Sequence, residues 1–206
     1  NPFSYQILYV VTEAPVLLLI FFKDISFAFP WFAFGILAGF SHYVGLMLYF
    51  RAIAVEEATR VISIFYIGPI FVLVLASILL RETLTQSMYL GVLLLVIGAI
   101  SLSYRRAESG GPIISPALGV LIACSIVLSG YEILTKYTLG FLDLTSYLYW
   151  DFVGSLITGL TLLSLPKIRN TFLKDIKGLS RNVLFWRTTD TYLTLAGLIL
   201  YFSAMS

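Results

Sequence analysis

A chain of 206 residues is long enough for one or two globular domains, but 59% of it is hydrophobic and only 12% charged. A soluble surface takes about 25% charged residues, and a mean hydropathy of +0.95 leaves no room for one; the composition is that of a polytopic membrane protein. A formal net charge of +2 and one cysteine, Cys124, exclude a polyanion-binding surface and a disulfide scaffold.

A bilayer core of about 30 Å needs about 20 apolar residues in a helix. Seven stretches meet this in chain order: 3–22, 31–52, 61–80, 86–104, 115–138, 144–165 and 183–206. Alternating strand patterns are absent, so the spans are predicted as helices and not as a barrel. Short connections at 23–30, 55–60, 81–85 and 138–143 make sequential spans antiparallel neighbours. Residues 105–112 form a polar linker, and 166–182 the one longer polar loop. Trp31, Phe32, Tyr104, Tyr147, Trp150 and Trp186 fall near span ends, where interfacial aromatics belong. The chain opens without a methionine and stops inside an apolar run, which reads as an internal fragment.

An internal repeat is visible. Gly45–Ala54 reads GLMLYFRAIA and Gly197–Ser206 reads GLILYFSAMS, six of ten positions identical at an offset of 152. Ser4-Tyr5 match Ser146-Tyr147 at an offset of 142, the longer 166–182 loop taking up the difference. Span 144–165 thus corresponds to 3–22, and 183–206 to 31–52. Span 115–138 then lacks a counterpart unless one helix precedes Asn1, and two more should follow Ser206. The expected fold class is all-α integral membrane: seven transmembrane helices of a ten-helix (5+5) bundle. An odd number of helices per repeat inverts the halves, as in many secondary transporters.

The segments Tyr49–Ala54, Ala58–Val61, Gly68-Pro69-Ile70 and Leu80–Leu84, followed by Gly91 and Gly98, resemble the EamA half of the drug/metabolite transporter superfamily. Gly119, Ser129, Tyr131 and Lys136 resemble the opening helix of that family's second repeat. The resemblance divides the chain into a first half-repeat (1–104), a linker (105–114) and a second half-repeat (115–206). It implies a ten-helix, multi-pass transporter of small metabolites in the plasma (inner) membrane, with a cavity between the halves. It specifies no substrate. Arg51, Arg60, Arg105, Arg106, Lys167, Arg169, Lys174, Lys177 and Arg181 sit in loops of one parity, against Lys23, Arg81 and Lys136. The positive-inside rule puts those nine in the cytoplasm; the family's usual ten-helix drawing puts them outside.

Ionisable groups inside a membrane usually mark pathways or pairs. Glu13, mid-span, reads as a coupling carboxylate or as a neutral acid hydrogen-bonded between helices. Asp151 corresponds to Tyr9 in the repeat, one turn from Glu13, so the two carboxylates can face each other across a pseudo-twofold; the alternative is an interfacial aspartate. His42, beside Tyr43, reads as a proton relay, a solute partner or a packed imidazole. No second histidine or cysteine stands at ligand spacing, so no metal is expected. Tyr43, Tyr66, Tyr131 and Tyr147 are candidate cavity tyrosines, and Pro15 and Gly68-Pro69 candidate bending points. Glu132 and Lys136 read as a structural i,i+4 pair, Arg187 and Asp190 as an interfacial pair, and Glu56-Glu57 as a solvated loop or a gate beside Arg51 and Arg60. Gly35/Gly39 and Ser155/Gly159 suit close helix packing. Glu82, with Thr83 or Thr85, suits a helix cap.

Walker, GxGxxG, HExxH, GxSxG and CxxC motifs are absent from the sequence. The expectation is a cofactor-free secondary transporter or exporter, driven by gradients or exchange. Its partners are a small-molecule solute and the bilayer, with no nucleic acid. The rivals are a membrane-embedded lipid-modifying enzyme, whose clustered Asp, His or Arg are missing, and a non-transporting scaffold.

Overall fold

Long apolar runs without internal helix breakers have one way to satisfy their backbone in lipid, the α-helix. The computed structural model describes residues 1–20, 24–81, 85–108 and 117–204, which are helical with no strand among them. The helices are α1 (Pro2–Ile20), α2 (Trp31–Ile53), α3 (Ala58–Phe65), α4 (Gly68–Leu75), α5 (Gln86–Glu108), α6 (Leu118–Leu139), α7 (Leu144–Ser164), α8 (Pro166–Lys177) and α9 (Arg181–Ser203). Glu82, Thr83 and the glycine pair of the linker lie outside the described residues.

Two expectations change. The predicted polar loop 166–182 is mostly helix. Pro166 opens α8 at its first position, where a missing N–H costs nothing. Ile168, Phe172 and Leu179 recur at helical spacing and pack with Ile7 and Leu8 of α1. Its polarity hid a stripe too narrow to register as apolar. The single span 61–80 is instead broken at Tyr66–Ile67, with Pro69 in the first turn of α4 and a π-helical turn at Ala76–Leu80. That turn ends on Arg81 in the left-handed region, φ 54°.

Among the described residues, two helices are apolar enough by length and composition to cross a membrane, α2 and α6, and α7 with α8 counts as a third only as one span bent by 98°. The predicted count of seven is not reached by that measure. α7 carries Asp151 among several hydroxyl residues, and α9 carries Arg187 and Asp190. The polar side chains point inward: Glu13, Asp151, Thr158, Arg187 and Thr191 are buried, while Leu93, Leu94, Trp186, Leu193 and Leu200 are exposed. An apolar exterior around a polar interior is how a bilayer-embedded bundle is built.

The described residues form two compact units, Asn1–Tyr43 with Leu134–Ser206, and Val44–Ile133. In the second, Ala52, Val61, Ile64, Ala117 and Leu121 make the core. The Cys124 thiol donates to the Gly45 carbonyl at 3.3 Å, and Ser129 Oγ donates to the Gly68 carbonyl at 3.2 Å. The carbonyl at the Gly68-Pro69 break therefore has a protein partner.

In the first unit, α1 meets α7 antiparallel: Val10 lies against Gly159, while Ile7 and Leu8 cluster with Leu162 and Leu163. The α2 segment runs parallel to α7 at very close range. A Cβ on Gly39 would strike the Asp151 carbonyl and one on Gly154 the Ile36 carbonyl, and Ser155 Oγ donates to the Gly39 carbonyl at 3.4 Å. The connection before α2 is stitched to α7 as well. Trp150 Nε1 donates to the Ser26 carbonyl at 2.8 Å, and the Ser26 amide donates to Ser146 Oγ at 2.9 Å.

Asp143 caps α7, accepting from the Ser146 amide at 3.0 Å. Partial burial raises its carboxyl, but hydrogen bonds from Ser146 and neighbouring amides outweigh that and hold it below the usual range. A depressed carboxyl stabilises the fold above its unfolded value of about 3.9, and that stability is lost as pH falls through the folded value. Asp143→Ala should cost about 1 kcal/mol at neutral pH and nothing extra in acid, read from unfolding of the detergent-solubilised protein. Gly39→Ala should cost about 3 kcal/mol, because backbone cannot yield, whereas Gly91→Ala, in open space, should not destabilise.

Candidate functional site: a buried polar cluster around α1

On an α-helix, residues three, four and seven apart share a face. Tyr5, Tyr9, Thr12 and Glu13 satisfy this spacing, and α1 presents them to α9 and α7. Arg187, in the second turn of α9, is buried to 8% exposure. Its guanidinium carbon lies 3.7 Å from the Tyr5 ring centre and 5.1 Å from that of Tyr9. Its Nη1 donates to the Tyr5 hydroxyl and, at 2.5 Å, to Asp190 Oδ2. Nε and Nη2 have no hydrogen-bond partner among the described residues. One turn further, Thr12 Oγ1 donates to Thr191 Oγ1 at 3.1 Å.

Glu13, at 5% exposure, continues this stripe. The Tyr9 hydroxyl approaches its carboxyl as a hydrogen-bond partner, and Asp151 and Arg187 are both within electrostatic reach. Asp151 is 2% exposed on α7. Tyr147, one turn earlier, donates to Asp151 Oδ1 at 3.4 Å and shares a 2.6 Å hydrogen bond with Thr135 of α6. Tyr43, at the α2 end of this unit, feels the Glu13 charge, and its buried hydroxyl has no hydrogen-bond partner among the described residues. The Gln6 side-chain amide, three residues before Tyr9 on α1, is likewise buried and unpaired among the described residues.

The structure therefore brings four of the predicted residues, Glu13, Asp151, Tyr43 and Tyr147, into one polar neighbourhood. His42 is half-buried beside Tyr43. Tyr66, exposed at the α3–α4 break, and Tyr131, buried on α6, belong to the other unit. Pro15 is exposed within an unbroken α1.

Burial refines three of these readings. Arg187 and Asp190 do pair, and Arg187 is enclosed by protein under two tyrosines while Asp190 stays exposed. Asp151 is likewise enclosed, 2% exposed. Arg60, in the second unit, is 5% exposed and pairs with Glu56 at 3.6 Å, while Val55 and Glu57 beside them are exposed.

Sequence reasoning missed Arg187, Tyr5 and Tyr9 as site residues, whereas Tyr147, a candidate cavity tyrosine, does stand beside Asp151. The available signal was the spacing of Tyr5, Tyr9 and Glu13, which places three polar groups on one helix face. A cavity of about 170 Å³ lies between α1, α8 and α9, bounded by Ser4, Tyr5, Asp175 and Arg187. It is smaller than the roughly 300–1,000 Å³ of small-molecule pockets and lies toward the Tyr5 end of α1, away from Glu13. Among the described residues no group of three or more His, Cys, Asp or Glu could hold a metal.

The arrangement holds two carboxylates and one guanidinium in a low-dielectric interior, with hydroxyls and an amide ready to bind a polar group. Removing the guanidinium takes away the buried cation stacked on Tyr5 and Tyr9, so Arg187→Ala should cost about 2 kcal/mol. A double-mutant cycle of Arg187→Ala with Tyr9→Leu should give a coupling of about 1–2 kcal/mol, measured by denaturant unfolding in detergent.

The sequence profile of the EamA-like transporter family matches residues 2–104, the portion that contains α1 to α4 and most of α5. No curated protein and no solved structure matches the chain. Members of the family are membrane transporters and not enzymes. With its helical fold, apolar exterior and this match over half its length, the chain belongs to the EamA-like transporter family, within the drug/metabolite transporter superfamily, and is an integral membrane protein.

Proposed function

We propose that this protein is a secondary-active transporter that moves small polar or amphiphilic metabolites by alternating access, with the Glu13–Asp151 neighbourhood as its coupling site. The observation that carries this reading is the pair of buried carboxylates on adjacent helices, close enough for each to bear on the other. Arg187 is already paired with Asp190. The two acids leave negative charge to be balanced by a proton or by a cationic group on the solute. An amine on the solute meets the acids, and an anionic end meets the unpaired Nε and Nη2 of Arg187. Exchange of such a solute for protons, with no cofactor, follows from that balance.

Alternating access by rocking of two inverted halves, 1–104 and 115–206, is supported by the register of contacts in the first unit. Under the sequence repeat, Tyr5 and Thr12 of α1 correspond to Tyr147 and Gly154 of α7. Arg187 and Thr191 of α9 correspond to Gly35 and Gly39 of α2. The contacts of Tyr5 with Arg187 and of Thr12 with Thr191 then predict that α2 meets α7 around the same positions. Gly35 does meet Trp150, and Gly154 meets Ile36 and Phe40. α1 and α7 also run in opposite directions, as inverted halves require. Seven spans of a ten-helix plan, in the plasma membrane, complete this reading.

Glu13→Gln and Asp151→Asn should each lower solute flux in proteoliposomes at least about tenfold, one proton-coupling group being worth that much in an interior site, and should flatten its pH dependence. Flux that stays normal at every pH in both variants removes the coupling role. A wild-type protein with no saturable flux for any amine-bearing metabolite favours a scaffold instead.

A further inference from the structure

Helix α8 follows α7 after a single residue, Leu165, and turns 98° from it. If α7 crosses the bilayer, α8 lies near the plane of its surface. Its inner face is fixed: Phe172 is buried against Ile7 and Leu8, and Asp175 accepts from Ser4 Oγ of α1 at 2.6 Å. Asp175 is the only acid between Pro166 and Asn182, and it faces α1. The outer face holds Lys167, Lys174 and Lys177, with Arg169 at its flank and Arg181 just beyond, all exposed. None of these five cations pairs with an acid among the described residues.

Apolar groups surround this charge at the same end. Leu165 and Leu173 are about half exposed. Phe185 and Trp186, in the first turns of α9, are 65% and 69% exposed and meet edge to face at 5.7 Å. Exposed aromatics beside unpaired lysines are the composition of an element at headgroup level. A soluble partner would have to cover both the cations and these bulky apolar groups; a leaflet does so with phosphates above and acyl chains below.

We propose that α8 is an in-plane helix whose outer face binds anionic phospholipid headgroups. The inference uses the membrane embedding of the chain and is independent of whether the Glu13 site moves a solute. Lys167, Lys174 and Lys177 contact lipid phosphates, Arg169 and Arg181 extend the strip, and Trp186 sets the depth. The pinned inner face matters as much as the charged one. With Phe172 and Asp175 tied to α1, lipid bound outside holds the α7–α8 corner and the α1 terminus together.

The test uses the whole protein in phosphatidylcholine bilayers with traces of spin-labelled phosphatidylglycerol or spin-labelled phosphatidylcholine, the fraction of immobilised label being read by electron paramagnetic resonance. The wild type should immobilise phosphatidylglycerol preferentially, and each lysine replaced by Gln should lower that preference, up to about fivefold per charge. The triple variant K167Q/K174Q/K177Q should show almost none, K167R/K174R/K177R should keep it, and Arg51→Gln, outside α8, should leave it unchanged. Raising salt to 1 M should weaken the wild-type preference, which tests the idea even if the Gln variant does not fold. Equal immobilisation of both lipids by the wild type, or an undiminished preference in a folded Gln variant, overturns it. Suppression by millimolar soluble glycerophosphoglycerol overturns it too, since that is a site for small anions and not for a leaflet. A protein that transports nothing yet shows the lipid preference refutes the transport reading alone.

Discussion

A helix that carries Tyr5, Gln6, Tyr9, Thr12 and Glu13 cannot present that stripe to acyl chains, because each unmet polar group there costs several kcal/mol. It must be surrounded. α7, α8 and α9 all pack on α1, and each brings a polar answer: Asp151 within reach of Glu13, Asp175 for Ser4, and Arg187 and Thr191 for Tyr5 and Thr12. In lipid there is little apolar driving force between helices, so packing and hydrogen bonds decide which helices associate. The order of helices around α1 follows from its polar stripe more than from its leucines.

Repeat-related contacts are solved by different chemistry in this unit. Where α2 meets α7, glycines bring backbone against backbone, and Ser155 adds one hydroxyl bond. Where α9 meets α1, an arginine and a threonine fill the corresponding space with side chains. Backbone contact admits almost no sliding, because any shift brings main-chain atoms into collision. Side-chain contact can change rotamers and partners. A cluster that must exchange its occupants is better placed beside the second kind of seam, and Glu13 lies next to it.

Much of the fold was legible in the sequence. Six of the helices fall where apolar length put them, because a bilayer leaves hydrophobic runs few alternatives. Break and cap also carried local signals, in Gly68-Pro69 and in Asp143 three residues before Ser146. α8 was misread because its stripe of Ile168 and Phe172, continued by Leu179 just beyond its end, is one residue wide in a segment rich in lysine. Within the site, Glu13 and Asp151 stood out because charge in a span is costly wherever it points. Arg187 did not, since an arginine near a helix end is equally at home snorkelling to the interface. Only the tertiary contact with Tyr5 and Tyr9, about 180 residues away in sequence, shows which way it turns.

That contact bears on how the protein is made. Arg187 sits near one end of α9, and among the described residues α9 is not one of the helices apolar enough to cross a bilayer by composition. α1 leaves the ribosome long before α9 and offers Tyr5, Tyr9 and Thr12 in advance. The lipid phase accepts the late helix as the second half of a pair. The order of synthesis then matters to assembly: the groups that receive Arg187 and Thr191 are made first, so a lesion at the early tyrosines of α1 bears on the seating of a helix synthesised much later.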